Sequence, residues 1–149
     1  MHSQSAGRPR LPRRCHTVEP VERYLVDGMN VIGSRPDGWW RDLDAAVVRL
    51  ARCLAAWRAA EELEATVVFD GGPPRALEDV DLKGLEVAFA GRGRAADDEI
   101  VRRVGIDPDS ASLGVVTSDR PLAERVRAAG AGEVTGAGRF RRMLDRYCT

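Results

Sequence analysis

The stretch YLVDGMNVIG (residues 24–33) runs from a short apolar segment directly into Asp27, and Asn30 follows three residues later. The same kind of pattern recurs at three further places, which are TVVFDGG (66–72), VAFAGRGRAADDEI (87–100) and GVVTSD (114–119). In each place a short apolar run leads to an acidic residue. The pattern predicts four buried strands with a carboxylate at or just beyond the C-terminal end of each.

Helical patterns separate most of these strands. A helix is predicted over residues 39–62, with apolar positions three and four residues apart at Trp40, Leu43, Val47, Leu50, Leu54 and Trp57. Further helices are predicted from AADDEIVRRVG to near Gly105, over 120–129 and around Phe140, Leu144 and Tyr147, with a short fifth strand at 133–135 and loops at 28–38 and 71–83. Alternating strands and helices indicate a three-layer α/β/α fold around a mostly parallel sheet of four to five strands.

Composition limits the classes of protein. The 149 residues, 44% hydrophobic and 31% charged, are typical of one globular domain. Residues 1–21 are rich in Arg, Pro and Ser, and we interpret them as a disordered basic tail ahead of a domain at 22–149. An inert tail is favoured over an arm that binds nucleic acid. The sequence has no apolar secretion segment and no membrane-spanning run, so we expect a cytoplasmic protein.

The scarce histidines and cysteines restrict the chemistry. Both histidines lie in the tail, which excludes His-based catalysis and His-ligated metal within the domain. The three cysteines, Cys15, Cys53 and Cys148, are odd in number and widely spaced. This argues against a disulfide framework and against a thiolate zinc site, and it favours a reducing compartment. A functional site must therefore use carboxylates, hydroxyls and amides.

Four carboxylates are expected to meet at one edge of the sheet, because parallel strands all end there. They are Asp27, Asp70, Asp97 and Asp119. Four close carboxylates repel one another, and one or two divalent cations would compensate. An all-oxygen ligand set suits Mg²⁺ or Mn²⁺, which promote phosphodiester hydrolysis. Neutral partners are available at Asn30, Thr117 and Ser118.

Each acid also has a structural interpretation. Asp70 precedes two glycines and is a good turn residue. Asp119 is a good N-cap, and Asp97 and Asp98 favour a helix N-terminus. Asp27 is hardest to explain this way, because no helix is predicted directly behind it. The occurrence of all four at one edge favours a functional site.

Arginines in the loops at the same edge are candidate contacts for RNA phosphates. They are Arg35, Arg75, Arg92, Arg94 and Arg120. Trp39 is a candidate for stacking on a base, whereas Trp40 is predicted to lie in the core. The segment AGRGRAAD contains the glycine spacing of a dinucleotide fingerprint, but it follows the third strand, so no nucleotide cofactor is expected.

Together, VDGMNVIG, VVFDGG, VAFAGRGRAADDEI and VVTSD resemble the NYN domain of the YacP-like group in the PIN-like nuclease superfamily, over about residues 23–144. The resemblance implies a sheet order of the 3-2-1-4-5 type and RNA cleavage dependent on Mg²⁺ or Mn²⁺. It also implies that the metal-binding, catalytic acids are Asp27, Asp70, Asp97 and Asp119. It makes Asn30 a companion amide of Asp27, places Ser118 beside Asp119, and makes Asp98 a more variable neighbour of Asp97.

The leading hypothesis is therefore a metal-dependent endoribonuclease that leaves a 5′-phosphate and a 3′-hydroxyl. One alternative is a catalytically silent RNA-binding adaptor with the same fold. Another is a phosphohydrolase of small molecules acting at the same edge. RNA is the expected partner, and a monomer or weak homodimer is the expected assembly.

Overall fold

The computed structural model describes residues 21–148. Five parallel strands form one sheet in the order β3-β2-β1-β4-β5. The strands are β1 (Arg23–Asp27), β2 (Glu64–Phe69), β3 (Glu86–Phe89), β4 (Leu113–Val116) and β5 (Glu133–Thr135). The predicted fold class, strand number and 3-2-1-4-5 order are confirmed. The predicted basic tail lies almost entirely outside the described residues, and that prediction stays untested.

The central strands are apolar on both faces because helices cover both sides of the sheet. Val26 of β1 lies level with Val67 of β2 and Val116 of β4, and all three belong to one core. Leu25 and Val115, one residue earlier in each strand, belong to the core on the opposite face. This follows from the strand geometry, in which successive side chains point to opposite faces.

Helices α1 (Gly28–Ile32), α2 (Leu43–Glu61) and α5 (Ala137–Leu144) pack on one face of the sheet. Helices α3 (Asp97–Ile106) and α4 (Arg120–Ala128) pack on the other. Within residues 21–148, short 3-10 helices lie in the connections at Trp39–Arg41, Arg75–Asp79 and Ser110–Ser112, and a further one at Asp145–Tyr147 follows α5. No helix between residues 21 and 148 is long and apolar enough to cross a membrane.

The helix predicted over residues 39–62 begins later than expected. Asp42 accepts a hydrogen bond from the Ala45 N–H (3.1 Å) and caps α2, while the preceding residues form a separate 3-10 turn. The change of helix type shifts the apolar stripe out of phase. Trp40 (55% exposed) lies in that turn and points to the surface, and Leu43 (41% exposed) lies at the exposed first position of α2, so both predicted core positions are wrong. Trp39 packs against the core instead.

The residues directly after Asp27 form a short helix, where a loop was predicted. Helix α1 begins at Gly28, in a position that only glycine fits. A Cβ atom on Gly28 would lie 2.5 Å from ring carbons of Phe69, a fully buried side chain of β2. The glycine therefore lets α1 pack tightly against β2, and it fixes where the chain goes after Asp27.

The structure contains a disulfide between Cys53 and Cys148, although 95 residues separate the two in sequence. The cysteine pattern argued against a disulfide framework, and it did not predict this single pair. Packing of the 3-10 helix Asp145–Tyr147 against α2 brings Cys148 beside Cys53. Spacing along the chain carries no sign of a contact that arises from tertiary packing.

Substituting Gly28 by alanine tests the close approach of α1 to β2. We expect Gly28→Ala to lower the free energy of unfolding by about 1–3 kcal/mol, because the added methyl group overpacks a rigid, buried contact. Urea unfolding followed by circular dichroism measures the change. The control is Gly72→Ala, because a Cβ at Gly72 has no atom within 4 Å. Equal stability of the two variants would contradict the packing argument.

Candidate functional site

The four predicted acids all lie at the carboxyl edge of the sheet. Asp27 is the last residue of β1, and Asp70 directly follows β2. Asp97 is the first residue of α3, and Asp119 is the N-cap of α4. The sheet topology thus places them on the side predicted from the sequence.

Asp27 is a buried carboxylate with only 5% of its surface exposed. The hydroxyl of Thr117, itself buried, donates a hydrogen bond to Asp27 Oδ2 (2.9 Å). Burial raises the pKa of Asp27 to about 6, the Thr117 hydrogen bond opposes this, and the charges of Asp97 and Asp70 raise it further. Folding therefore holds an ionised Asp27 where ionisation is unfavourable, which is typical of functional sites.

Asp97 is electrostatically coupled to each of the other three acids. Its pKa is raised first by burial and then by the charges of Asp119 and Asp70, while Arg125 acts in the opposite direction. Asp97 in turn raises the pKa of Asp27. The carboxylates therefore shift one another's pKa values, and Asp97 is the acid linked in this way to each of the other three.

The acids do not form a closed metal cage. Among residues 21–148, no group of three or more His, Cys, Asp or Glu side chains is arranged to hold a metal ion. Asp70 is exposed, and its Oδ1 accepts a hydrogen bond from the Ala96 N–H (2.7 Å). Asp119 Oδ1 accepts one from the Leu122 N–H (3.1 Å) and caps α4. The predicted N-cap role of Asp119 is thus confirmed, whereas Asp70 bonds a distant loop and not its own turn. Each of the two acids keeps Oδ2 without a hydrogen bond within the described chain.

The neutral residues predicted to support the acids form a hydrogen-bond network. Asn30 Oδ1 accepts a hydrogen bond from the Ser118 N–H (2.6 Å), which ties α1 to the end of β4. The Asp119 N–H donates to Thr117 Oγ1 (3.1 Å), the same hydroxyl that contacts Asp27. Ser118 Oγ accepts from the Ala137 N–H at the start of α5 (2.7 Å). The segment 117–119 therefore joins three helices to Asp27.

Asp98 differs from its neighbour Asp97, because it is exposed and pairs with Arg125 of α4 (2.9 Å). This ion pair links the first turn of α3 to α4. It also holds the Arg125 guanidinium close enough to act on the pKa of Asp97. Asp98 therefore acts on Asp97 in two ways: its own charge raises the pKa of Asp97, and its partner Arg125 lowers it.

The predicted arginines fall into two groups. Four of them are exposed and make no ion pair within residues 21–148; they are Arg75, Arg92, Arg94 and Arg120. Arg35 instead donates two hydrogen bonds to the carboxylate of Asp145 (3.1 and 2.8 Å), which lowers the pKa of that carboxyl. Arg35 therefore secures the C-terminal segment, whereas the other four are available to an anionic ligand.

Sequence comparison gives the family to which this arrangement belongs. Residues 24–148 match the YacP-like NYN domain, which covers nearly all of the described chain. The chain belongs to the YacP-like NYN domain family. This is a PIN-like nuclease family, and membership supports a nuclease-type function directed at RNA. No curated protein matches the sequence.

Solved structures agree with the NYN assignment. The crystal structure of Rae1 (YacP) from Bacillus subtilis matches with a TM-score of 0.69 and 25% identity, covering 84% of this chain and 74% of that chain. A tryptophan-to-leucine mutant of the same protein matches with a TM-score of 0.67 and 24% identity, covering 85% and 76%. The sheet and its covering helices are thus shared with a YacP structure.

The glycines that resemble a dinucleotide fingerprint have a structural role in this NYN domain. Gly91 forms an antiparallel bridge with Gly71, so the loops after β2 and β3 are joined. The Gly71 N–H also donates to the Arg94 carbonyl (3.1 Å). Gly91 and Gly93 have positive φ angles of 108° and 72°, which explains the glycines at both positions. The bridge holds Asp70 next to the loop that carries Arg92 and Arg94.

The donor set of the NYN domain fits a hard divalent cation. Its carboxylates supply only oxygen, which suits Mg²⁺ or Mn²⁺. A cation would also offset the burial and the mutual repulsion that raise the pKa values of Asp27 and Asp97. The residues present therefore match the metal that the family implies.

Sequence reasoning missed two arginines of this edge. Arg125 lies in α4 and acts on Asp97, as described above. Arg141 lies in α5 and donates hydrogen bonds to the Val31 carbonyl at the end of α1 (3.2 Å) and to Asp37 (3.3 Å). Both are ordinary helical arginines in the sequence, and only packing shows what they contact.

The raised pKa of Asp27 predicts that its carboxylate destabilises the metal-free protein. The folded state holds the Asp27 proton more tightly than the unfolded chain, so this stability is present at low pH and is lost as pH rises through about 6. We expect Asp27→Asn to raise the free energy of unfolding by about 1–3 kcal/mol at pH 7.5 in EDTA, with no gain near pH 4.

Urea titrations of wild type and variant at both pH values measure this difference. The control Glu124→Gln changes an exposed acid of α4 and should shift stability little at either pH. A loss of stability in Asp27→Asn at pH 7.5 would show that the carboxylate is needed as a structural hydrogen-bond acceptor.

Proposed function

We propose that this NYN domain is a metal-dependent endoribonuclease that hydrolyses RNA phosphodiester bonds. The observation that carries the proposal is the mutual coupling of Asp97 with Asp27, Asp70 and Asp119 at the carboxyl edge of the sheet. A buried acid with a raised pKa, beside further acids, is a costly arrangement for stability alone. Family membership gives the proposal its substrate class, which is RNA.

The proposed metal ligands are Asp27, Asp70, Asp97 and Asp119. When bound, one or two Mg²⁺ or Mn²⁺ ions would supply Lewis acidity toward the phosphodiester. The chain's own contribution is orientation. Thr117 fixes one oxygen of Asp27, while backbone N–H groups fix one oxygen each of Asp70 and Asp119. Attack of water at phosphorus with departure of the 3′ oxygen would leave a 5′-phosphate and a 3′-hydroxyl.

The exposed arginines supply the proposed phosphate contacts. Arg92 and Arg94 lie in the loop that is bridged to Gly71, the residue after Asp70. Arg120 directly follows Asp119. Arg75 follows the same strand as Asp70. Cations at these positions would hold the RNA backbone across the acidic edge, with little dependence on base identity. Arg35 was also predicted here, but its ion pair with Asp145 makes it the weakest of the five.

A catalytically silent RNA-binding adaptor is the second candidate. It is favoured by one observation, namely that the acids between residues 21 and 148 are not arranged as a ready metal cage. An adaptor would bind RNA through the arginines with strong salt dependence and no need for metal. For either function, we propose a cytoplasmic protein that is a monomer or weak homodimer.

Cleavage of a labelled, structured RNA tests the proposed activity. We expect cutting with Mn²⁺ or Mg²⁺ and none in EDTA. Asp97→Asn should lower the rate by at least about 100-fold, because several kcal/mol of transition-state stabilisation are lost. The control Glu124→Gln, on exposed α4 surface, should cut like wild type.

The outcomes separate the candidates. Cutting by Asp97→Asn at the wild-type rate would contradict the site. RNA binding without cutting, unchanged by EDTA, would support the adaptor. Turnover of a nitrophenyl phosphate without RNA cleavage would indicate a small-molecule phosphohydrolase. Thermal unfolding with and without Mn²⁺ adds a readout independent of turnover, since Mn²⁺ should stabilise wild type more than Asp97→Asn.

Trp40 offers an indole face for stacking on an unpaired base, the role predicted for Trp39. Trp39 contacts the ring of Trp40 edge-on, with 5.8 Å between ring centroids, and the Arg41 guanidinium lies 5.8 Å from the Trp40 ring. We expect Trp40→Ala to weaken binding of single-stranded RNA by about 10-fold, because stacking on an aromatic ring contributes about 1–3 kcal/mol per base.

Fluorescence anisotropy of a labelled oligoribonucleotide in EDTA measures this affinity without cleavage. The matched control is Ile106→Ala, which removes another exposed apolar side chain, at the far end of α3 and away from the acids. Equal affinity of the two variants would contradict a stacking role for Trp40.

A further inference from the structure

The Cys53–Cys148 disulfide joins the middle of α2 to the last described residue. Both cysteines are half-buried and pack against the core on the α2 face of the sheet. Two surface cavities, of about 190 and 440 Å³, are each lined by both cysteines. A small thiol reagent can therefore reach the sulfur atoms from the surface without unfolding of the core.

The surroundings of the two sulfur atoms are rich in cations. Arg49 lines both cavities, and Arg52 and Lys83 line the larger one. Asp81 lines the larger cavity and pairs with Lys83 (3.8 Å). The acids of the smaller cavity, Asp37 and Asp145, are likewise paired, with Arg141 and Arg35, so Arg49 and Arg52 remain as the cations without an ion pair within residues 21–148. Cationic neighbours stabilise a thiolate, the form of cysteine that takes part in thiol–disulfide exchange.

The segment that the disulfide fastens also holds the loop behind α1. Asp145 receives two hydrogen bonds from Arg35, and the Tyr147 hydroxyl bonds to Glu61 of α2. Arg141 reaches the end of α1 and Asp37. Residues 141–148 therefore contact both α2 and the loop at residues 33–37. Because Asn30 of α1 contacts Ser118, this loop follows directly on an element of the acidic edge.

We propose that Cys53 and Cys148 form a reversible thiol–disulfide pair that fastens residues 141–148 to α2 and thereby orders the loop at 33–37. The proposal goes beyond the ribonuclease activity and does not depend on it. A cytoplasmic location would expose the pair to a thiol buffer, in which such a pair is made and broken.

The exchange needs a disulfide oxidant of the glutathione class. The thiolate of one cysteine attacks a sulfur of the oxidant, forms a mixed disulfide and releases one small thiol. The second cysteine then attacks the protein sulfur of the mixed disulfide and releases the second small thiol. Two protein thiols and one small disulfide thus become one protein disulfide and two small thiols, with two electrons passed to the oxidant.

Equilibration of the full chain in glutathione buffers tests the proposal. We expect the oxidised protein to be lighter than the reduced protein by two hydrogen atoms, and peptide mapping to join Cys53 to Cys148. The unfolding temperature should be about 5–15 °C higher in the oxidised form, because the cross-link closes a long loop in the unfolded chain. The change should reverse when reduced glutathione is restored.

The third cysteine provides a matched control. Cys15→Ser should keep the redox-dependent shift, whereas Cys148→Ser and Cys53→Ala should each remove it and unfold near the temperature of the reduced protein. Pairing of either cysteine with Cys15, or equal unfolding temperatures of the oxidised and reduced wild type, would overturn the proposal. Reduced wild-type protein alkylated at its thiols gives the same comparison without any substitution.

Hydrogen exchange tests whether the cross-link orders the loop. Amides at 33–37 and 141–147 should exchange faster in the reduced protein, while amides of α3 should not change. Unchanged exchange at 33–37 on reduction would overturn the ordering of the loop, even if the unfolding temperature falls. None of these measurements uses RNA cleavage, so their failure is distinct from failure of the proposed activity.

Discussion

The burial of the Asp27 carboxylate at the end of the central strand is the constraint around which the rest of the site is arranged. The strand is covered on both faces, so a charge at its end has little access to water. The hydroxyl of Thr117 donates a hydrogen bond to Asp27 and offsets part of the free-energy cost of burying the charge. The pKa of Asp27 nevertheless stays raised. Neighbouring acids increase that cost. A site of this kind has an obvious use only if a cation or an anionic substrate carrying a cation completes it.

The fold was largely predictable because its signal is local and repeated. Each strand is a short apolar run, such as YLV at 24–26 or GVV at 114–116, and each is bounded by residues that end strands. Right-handed crossovers then allow few topologies, and the observed order is one of them. The position of the acids at one edge follows from the same logic, since it needs only the direction of each strand.

What the sequence did not show arises from contacts between distant parts of the chain. Trp40 is exposed and Trp39 packs against the core, the reverse of the prediction. This depends on a single 3-10 turn that shifts the helical phase. Helix α1 depends on how closely Gly28 approaches Phe69, which no property of the segment itself indicates. The Cys53–Cys148 disulfide depends on the C-terminal segment packing back against α2.

The acids also show why structural and functional interpretations of one residue need not compete. Asp119 and Asp70 each use one oxygen to bind a backbone N–H, and this fixes the carboxylate while the second oxygen stays available. Such a carboxylate loses little side-chain entropy when it binds a ligand, because the hydrogen bond has already ordered the side chain. Helix capping is therefore a means of preorganising a site. The informative residue is Asp27 at the start of α1, because its pKa stays raised although the Thr117 hydroxyl and the backbone N–H of Asn30 both lower it. Burial outweighs these hydrogen bonds, and the coupled acids around Asp27 are the arrangement that gives this cost a use.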